Sequence, residues 1–163
     1  MSPVSTIRAL RFDQLVWALR LNNAAVPNVN ALSADEFERL VGMSALALGA
    51  WRDEKPAGFL LAFRPGADYA SENYRWFSRE MTDFLYIDRV VVDPAARRGG
   101  VGRALYQAAA AEAAKAGVPL VCEVNEEPPN PDSMRFHERF GFRVVGRQET
   151  EQGEKRVALM QKD

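Results

Sequence analysis

A six-residue run, Arg97-Arg98-Gly99-Gly100-Val101-Gly102, joins an apolar segment directly to an alanine-rich one. The apolar segment, 84–92, predicts a strand, and the alanine-rich segment, about 100–116, predicts a helix lying close to a sheet. Glycines let backbone N–H groups close on an anion, and a helix N-terminus carries roughly half a positive charge, to which two arginines add full charges. The run therefore predicts a site for a phosphate-bearing ligand. The structural alternative is that the glycines only pack the helix tightly against the strand.

The spacing of the glycines separates this run from two common phosphate-binding loops. A mononucleotide loop needs G-x-x-x-x-G-K followed by serine or threonine, and no glycine of this chain is followed by such a pair. A dinucleotide fingerprint needs G-x-G-x-x-G near the start of a βαβ unit, whereas the order here is G-G-x-G, deep in the chain. What remains is R-x-x-G-x-G, formed by Arg97, Gly100 and Gly102 after the strand end Val90-Val91-Val92-Asp93-Pro94.

This pattern resembles the acetyl-CoA-binding motif of the GNAT superfamily of N-acetyltransferases. The resemblance continues through Asn130-Pro131-Asp132-Ser133, Phe136-His137 and Gly141-Phe142. It implies an α/β fold with a mixed, mostly antiparallel sheet, a central splayed parallel pair and about four flanking helices. Residues 73–77 also resemble a little-characterised subgroup of the superfamily, which adds no substrate.

Length and net charge limit the number of domains and the classes of partner that this chain can have. A chain of 163 residues buries roughly two-thirds of its unfolded surface, which predicts a single domain over 1–163, and the resemblance implies that it is a GNAT-like acetyltransferase domain. Lysine and arginine number 21 against 22 acids, so we expect no nucleic-acid partner and no anionic membrane, and a local basic patch instead. Residues 1–10 lack a continuous apolar segment, and no run approaches the roughly 18 residues that a bilayer needs, so we predict a cytoplasmic location. With one cysteine and one histidine, we expect no metal site. The sequence allows a homodimer but does not predict the oligomeric state.

Local signals predict the other elements. Helices are expected over 13–21, capped by Asp13, over 34–40, capped by Ser33 with Glu36 and stopped by Gly42, and over 131–140, capped by Asn130 and ended by Gly141. Strands are expected at 6–10, 44–52, 57–64, 84–92, 118–125, 141–148 and 155–161, with the strands at 84–92 and 118–125 parallel. A loop of about fifteen residues is expected after Pro65-Gly66, and its aromatic residues favour equally a lid over a substrate and a packing cluster.

The resemblance implies acetyl-CoA as co-substrate. The pyrophosphate would bind the N–H groups of the glycine run. The pantetheine would add to the strand edge at 90–92, where the N–H of Val90 or of a neighbour could polarise the thioester carbonyl. The candidate cofactor-binding residues are Val90, Val91, Val92, Arg97, Arg98, Gly99, Gly100, Val101, Gly102, Arg103, Asn130 and Ser133.

Four residues are candidates for proton transfer. The family has a tyrosine acid at the fourth residue before the Gly-Phe pair, and this chain has His137 there, which could act as the acid or could be a packing residue that leaves the thiolate to a water molecule. The candidate bases are Asp88 first, then Glu123, then Tyr86. Each has a structural alternative: Asp88 could pair with Arg89 or Arg11, Tyr86 could be a core residue, and Glu123 could only cap the splay between the strands. Cys122 shares a face with Leu120 and Val124, which predicts a buried residue and no acyl-cysteine intermediate.

These features predict an N-acyltransferase that moves an acetyl group from acetyl-CoA to a primary amine, directly in a ternary complex. The acceptor is a small molecule or a peptide, and the segments that would choose it, 21–40 and 65–83, carry no chemical signature. Other acyl donors remain open. The rival class is a non-catalytic acyl-CoA-binding or regulatory module, which would not need titratable groups such as His137, Asp88 and Glu123.

Overall fold

The computed structural model describes residues 5–163, so the expectations for the first four residues lie outside the described part. Its strands are β1 (Thr6–Ala9), β2 (Leu46–Arg52), β3 (Lys55–Phe63), β4 (Leu85–Val92), β5 (Leu120–Glu127), β6 (Arg143–Thr150) and β7 (Lys155–Lys162). Its helices are α1 (Leu15–Ala24), α2 (Ala34–Met43), α3 (Glu72–Glu80), α4 (Val101–Ala116) and α5 (Pro131–Phe140). Within this range, no helix has both the length and the apolar character needed to cross a membrane.

The strands form one seven-stranded sheet in the order β1-β2-β3-β4-β5-β7-β6. β4 and β5 run parallel and pair at Leu85 with Leu120 and at Tyr86 with Val121. The pairs β1–β2, β2–β3, β5–β7 and β6–β7 are antiparallel. The expected mixed sheet with one parallel pair at its centre is therefore confirmed.

The chain divides into two compact units. The first unit contains the described residues up to Phe63 together with Ile87–Glu112, and the second contains Arg64–Tyr86 together with Ala113–Asp163. In the first unit, α2 covers the sheet through Phe37, whose ring meets that of Phe59 edge-on at 5.7 Å. In the second unit, four buried rings, those of Tyr74, Phe77, Phe84 and Tyr86, lie within 6.2 Å of one another in successive contacts.

The loop expected after Pro65-Gly66 contains a helix, and the prediction of about fifteen irregular residues is wrong. Ser71 Oγ caps α3 by accepting from Tyr74 N at 3.2 Å. Tyr74 and Phe77, one helical turn apart, are buried, and the Tyr74 hydroxyl donates to the Arg64 carbonyl at 2.8 Å. These contacts agree with the second interpretation of the aromatic residues, a packing cluster rather than a lid over a substrate. Aromatic side chains are only moderate helix formers, so burial of this face decides the structure.

The first helix differs from its prediction at both ends. Asp13 lies in a short 3-10 turn, Phe12–Gln14, where it pairs with Arg11 at 3.1 Å and caps nothing. α1 then continues through Asn22 and Asn23 to Ala24. Asparagine usually ends a helix by bonding nearby backbone, but here both side chains bond the chain beyond the helix, at the Asn30 and Leu32 carbonyls.

The remaining helix signals are largely confirmed. The Ser33–Glu36 capping box opens α2, although the helix passes through Gly42 and ends at Met43. At α5, Asn130 Oδ1 accepts from Ser133 N at 3.2 Å, Pro131 takes the first turn, and Gly141 ends the helix with a φ of +112°. Strand ends shift by at most two residues, and both ends of β5 and of β6 move by two.

Candidate functional site

The glycine run forms a turn that leads into α4, in the first unit. Asp93 caps a single 3-10 turn, Pro94–Ala96, and positive φ angles follow at Arg98 (+67°) and Gly100 (+78°). The first helical bond runs from Ala104 N to Gly100 O at 2.9 Å. The amides of Val101 and Gly102 precede that bond, so they have no intrahelical carbonyl to donate to. This is the arrangement of backbone donors that an anion needs.

Positive charge surrounds these amides. Arg97, Arg98 and Arg103 are exposed at the turn and in the first turn of α4. Gly102 meets only Val92, whose Cγ2 lies 3.8 Å from where a Cβ would be, so its lack of a side chain leaves the approach to the amides open. The structure thus places all the predicted residues of 97–103 on one turn and one helix N-terminus.

The strand edge at Val90 and Val92 also lies in the first unit. Asp93 N donates to the Ala57 carbonyl on β3 at 2.8 Å, and Val91 O points towards β3, where it lies 2.7 Å from the position of a Cβ on Gly58. Backbone groups alternate along a strand. The amides of Val90 and Val92 therefore point away from β3, as the predicted pantetheine edge requires.

Asp88 is engaged in a buried network of the first unit. Its Oδ2 accepts from Arg89 Nε at 2.8 Å, and the two side chains are only 5% and 7% exposed. The same guanidinium donates to Asn22 Oδ1 at 3.0 Å and to Asn30 Oδ1 at 3.1 Å. The network ties β4 to the end of α1 and to the segment that follows it. The pairing with Arg89 is the structural alternative that the sequence left open for Asp88.

Tyr86 and Glu123, the other two candidate bases, meet in the second unit. The Tyr86 hydroxyl donates to Glu123 Oε2 at 2.8 Å. Tyr86 is fully buried, and Glu123, on β5, is half-buried. A buried neutral donor thus orients a carboxylate that still reaches solvent, which the sequence did not predict because the two residues are 37 positions apart.

His137 is 5% exposed and lies on α5. Its Nδ1 lies 2.7 Å from the Ser133 carbonyl, which can only accept, so this nitrogen carries the proton. The ring packs edge-on against Phe142 at 5.3 Å. Burial lowers the pKa of His137, and the bond to the Ser133 carbonyl opposes that shift. These contacts are those of the packing alternative, and the acid role stays a prediction.

Asn130 and Ser133 are engaged within α5. The Asn130 side chain caps the helix, and Ser133 Oγ lies 3.3 Å from His137 Nδ1. Their contact with a cofactor stays a prediction.

Cys122 is 2% exposed, and burial, with a smaller effect of Glu123, raises the pKa of its thiol. The expected burial of Cys122 is confirmed.

A cavity of about 390 Å³ in the first unit was not foreseen. It lies against the end of β4, and its lining is apolar apart from two charged residues: Trp17, Arg20, Leu21, Ala24, Pro56, Asp93 and Pro94. The cavity is formed by α1, the start of β3, and Asp93 and Pro94, which open the 3-10 turn before the glycine run. Such a convergence of distant segments leaves no local signal in the sequence.

Comparison with known proteins gives consistent matches. The model of the acetyltransferase (GNAT) family matches residues 14–142. A mycothiol acetyltransferase of Gordonia bronchialis is 33% identical over 129 residues, which cover 76% of this chain and 38% of that protein. The chain thus spans about two-fifths of the length of this curated relative.

Solved structures share the fold. The ribosomal-protein-S18-alanine N-acetyltransferase from Escherichia coli superposes with a TM-score of 0.74 at 22% identity, covering 98% of this chain and 93% of that one. NAA60 of Arabidopsis thaliana, in complex with a bisubstrate analogue, superposes with a TM-score of 0.74 at 19% identity, covering 97% of both chains.

Proposed function

Because the chain belongs to the acetyltransferase (GNAT) family, we propose that it transfers an acetyl group from acetyl-CoA to a primary amine, directly in a ternary complex. One observation supports the proposal most strongly. The amides of Val101 and Gly102 have no helical partner and are flanked by the exposed Arg97 and Arg98. Backbone donors and guanidinium groups in this arrangement suit the diphosphate of coenzyme A.

The acyl end of the cofactor would extend along β4. The amides of Val90 and Val92 point away from β3, which gives an extended pantetheine the backbone partners of a neighbouring strand. An N–H of this edge also serves the reaction, because the thioester oxygen gains negative charge as the amine attacks the carbonyl carbon.

Glu123 is the base that the geometry favours. The amine must lose a proton before it attacks, because lysine-like amines are mostly protonated at neutral pH and a protonated nitrogen has no free electron pair. Glu123 is half-buried and is oriented by the Tyr86 hydroxyl, whereas the Asp88 carboxylate is 5% exposed and faces the Arg89 guanidinium. We therefore assign proton removal to Glu123, acting directly or through water, and the orienting role to Tyr86. Asp88, ranked first from sequence, takes a structural role.

The departing thiolate takes its proton from solvent in this scheme. The amine nitrogen bonds to the carbonyl carbon, the C–S bond breaks, and the sulfur leaves with the electron pair. The scheme assigns no proton transfer to His137, because its Nδ1–H is directed at the Ser133 carbonyl and burial lowers its pKa, which favours the neutral imidazole. A direct transfer also agrees with the burial of Cys122, which offers no accessible thiolate for an acyl intermediate.

The proposal is tested by following release of free CoA thiol from acetyl-CoA with a panel of amino acids, polyamines, aminoglycosides and peptides with free N-termini. We expect turnover with at least one amine and intersecting initial-rate patterns for the two substrates. Parallel patterns would contradict direct transfer. CoA binding without turnover on any amine would favour the non-catalytic module.

A pair of variants tests the base. Glu123→Gln should lower kcat by roughly 10²-fold or more, with partial recovery as rising pH supplies free amine. The matched control is Glu126→Gln, three residues along β5, where the carboxylate pairs with Arg147 at 2.9 Å and has no assigned role. Equal, small effects of both changes would remove the assignment of Glu123.

A further inference from the structure

Arg52, the last residue of β2, places its guanidinium against the glycine turn. Its Nη1 lies 3.5 Å from the Ala96 carbonyl, at the limit of a hydrogen bond. A Cβ built on Gly99 would lie 1.9 Å from Nη1 and 2.6 Å from Cζ of the same side chain. The guanidinium therefore occupies the space in which any side chain at position 99 would lie.

Arg52 is the side chain that any residue larger than glycine at position 99 would meet. The left-handed backbone of the turn falls on Arg98 and Gly100, on either side of Gly99. Gly99 thus needs no unusual φ, and a residue with a side chain could adopt its backbone. What such a residue would do is displace Arg52 from the turn.

The Arg52 side chain is poorly satisfied where it lies. Its Nε is buried and has no hydrogen-bond partner among residues 5–163, and no carboxylate of this part of the chain pairs with it. A buried donor without a partner costs free energy, and a partly buried cation costs more unless an anion faces it. Among residues 5–163, the long contact from Nη1 to the Ala96 carbonyl offsets little of this cost. The position of Arg52 is one that an anionic ligand at the turn would stabilise.

We propose that Arg52 belongs to the phosphate site and binds a phosphate group of coenzyme A from the β2 side of the turn. The inference rests on the proposed function. A guanidinium offers a fork of N–H donors that matches two phosphate oxygens, and this one lies against the same turn as Arg97 and Arg98. Arg52 lies more than forty residues before the R-x-x-G-x-G pattern, so the motif does not contain it.

The test is calorimetric titration of CoA and of 3′-dephospho-CoA into the wild type, Arg52→Met, Gly99→Ala and the double variant. Methionine retains most of the apolar stem and removes the charge and the donors. We expect Arg52→Met to weaken CoA binding by tenfold or more and to flatten its dependence on salt. Gly99→Ala should produce a similar loss, and the double variant should be little worse than either, because both changes remove the same contact.

Comparison of CoA with 3′-dephospho-CoA shows which phosphate group of the cofactor Arg52 binds. A loss that persists with 3′-dephospho-CoA assigns Arg52 to the diphosphate, and a loss seen with CoA alone assigns it to the 3′-phosphate. Arg143→Met, which breaks an exposed pair with Asp163 at 3.0 Å, is the control and should bind CoA as the wild type does.

Three results would overturn the inference while leaving the proposed function intact. Arg52→Met could bind both ligands with wild-type affinity, Gly99→Ala could do so, or the losses of the two changes could add in full. Failure of the wild type to bind CoA would instead refute the proposed function itself. Thermal unfolding of each variant shows that the comparison is made on folded protein.

Discussion

Arg89→Met is expected to destabilise the protein strongly. The Arg89 guanidinium donates to Asp88 at 2.8 Å, to Asn22 at 3.0 Å and to Asn30 at 3.1 Å. The Asp88 side chain is 5% exposed and Asn22 is fully buried, so neither exchanges its lost bond readily for one to bulk water. Removal of one member of a buried ion pair costs about 3–5 kcal/mol. The free energy of unfolding of single domains is about 5–15 kcal/mol, so this loss would remove a large part of the stability of the protein.

Urea denaturation measures this loss as a fall in midpoint with an unchanged slope. Arg89→Lys keeps the positive charge but cannot make all three hydrogen bonds, so it should lower the unfolding free energy less than Arg89→Met does. The control is Arg11→Met, which breaks the exposed pair with Asp13, 69% exposed on both sides, and should leave the unfolding free energy nearly unchanged. The reasoning is refuted if Arg89→Met costs no more than Arg11→Met.

Two further predictions concern α5. Asn130→Ala should cost about 1 kcal/mol in chemical denaturation and Asn130→Asp much less, because Asn130 Oδ1 caps Ser133 N at 3.2 Å; equal losses would deny the capping role. The pKa of His137 lies below its unfolded value of about 6.5, so its contribution to stability is complete above that pH and declines as the pH falls further. Unfolding free energies at about pH 7 and about pH 5.5 should therefore differ more in the wild type than in His137→Gln, and equal slopes would contradict the buried, neutral imidazole.

Elements whose signals are local were predictable from sequence. The N-cap, first-turn proline and terminal glycine of α5 lie within twelve residues, and each acts on the backbone beside it. The glycine run likewise predicts the turn before α4, because positive φ angles and unpaired amides follow from local geometry. The same locality explains why the capping box of α2 was recognised.

Features that depend on distant partners were not predictable. The partner of Tyr86 is 37 residues away, and Arg89 reaches Asn22 across 67 residues, so neither pairing leaves a periodic pattern. The helix α3 was missed because burial of Tyr74 and Phe77, rather than helix propensity, holds it. Asp88 was ranked above Glu123 because strand alternation gives the face of a side chain but not the cation that meets it.

The most direct test of the central claim is CoA binding by Gly102→Glu. Among the described residues, a Cβ on Gly102 would meet Val92 alone, at an ordinary contact distance of 3.8 Å, so the variant should fold and place a carboxylate near the amides of the α4 N-terminus. Gly42→Glu, at another helical glycine with open space around its Cβ position, is the matched control. Calorimetry should show CoA binding in the wild type and in Gly42→Glu and at least a hundredfold loss in Gly102→Glu. Undiminished CoA binding by a folded Gly102→Glu variant would contradict the assignment of the glycine turn as the phosphate site.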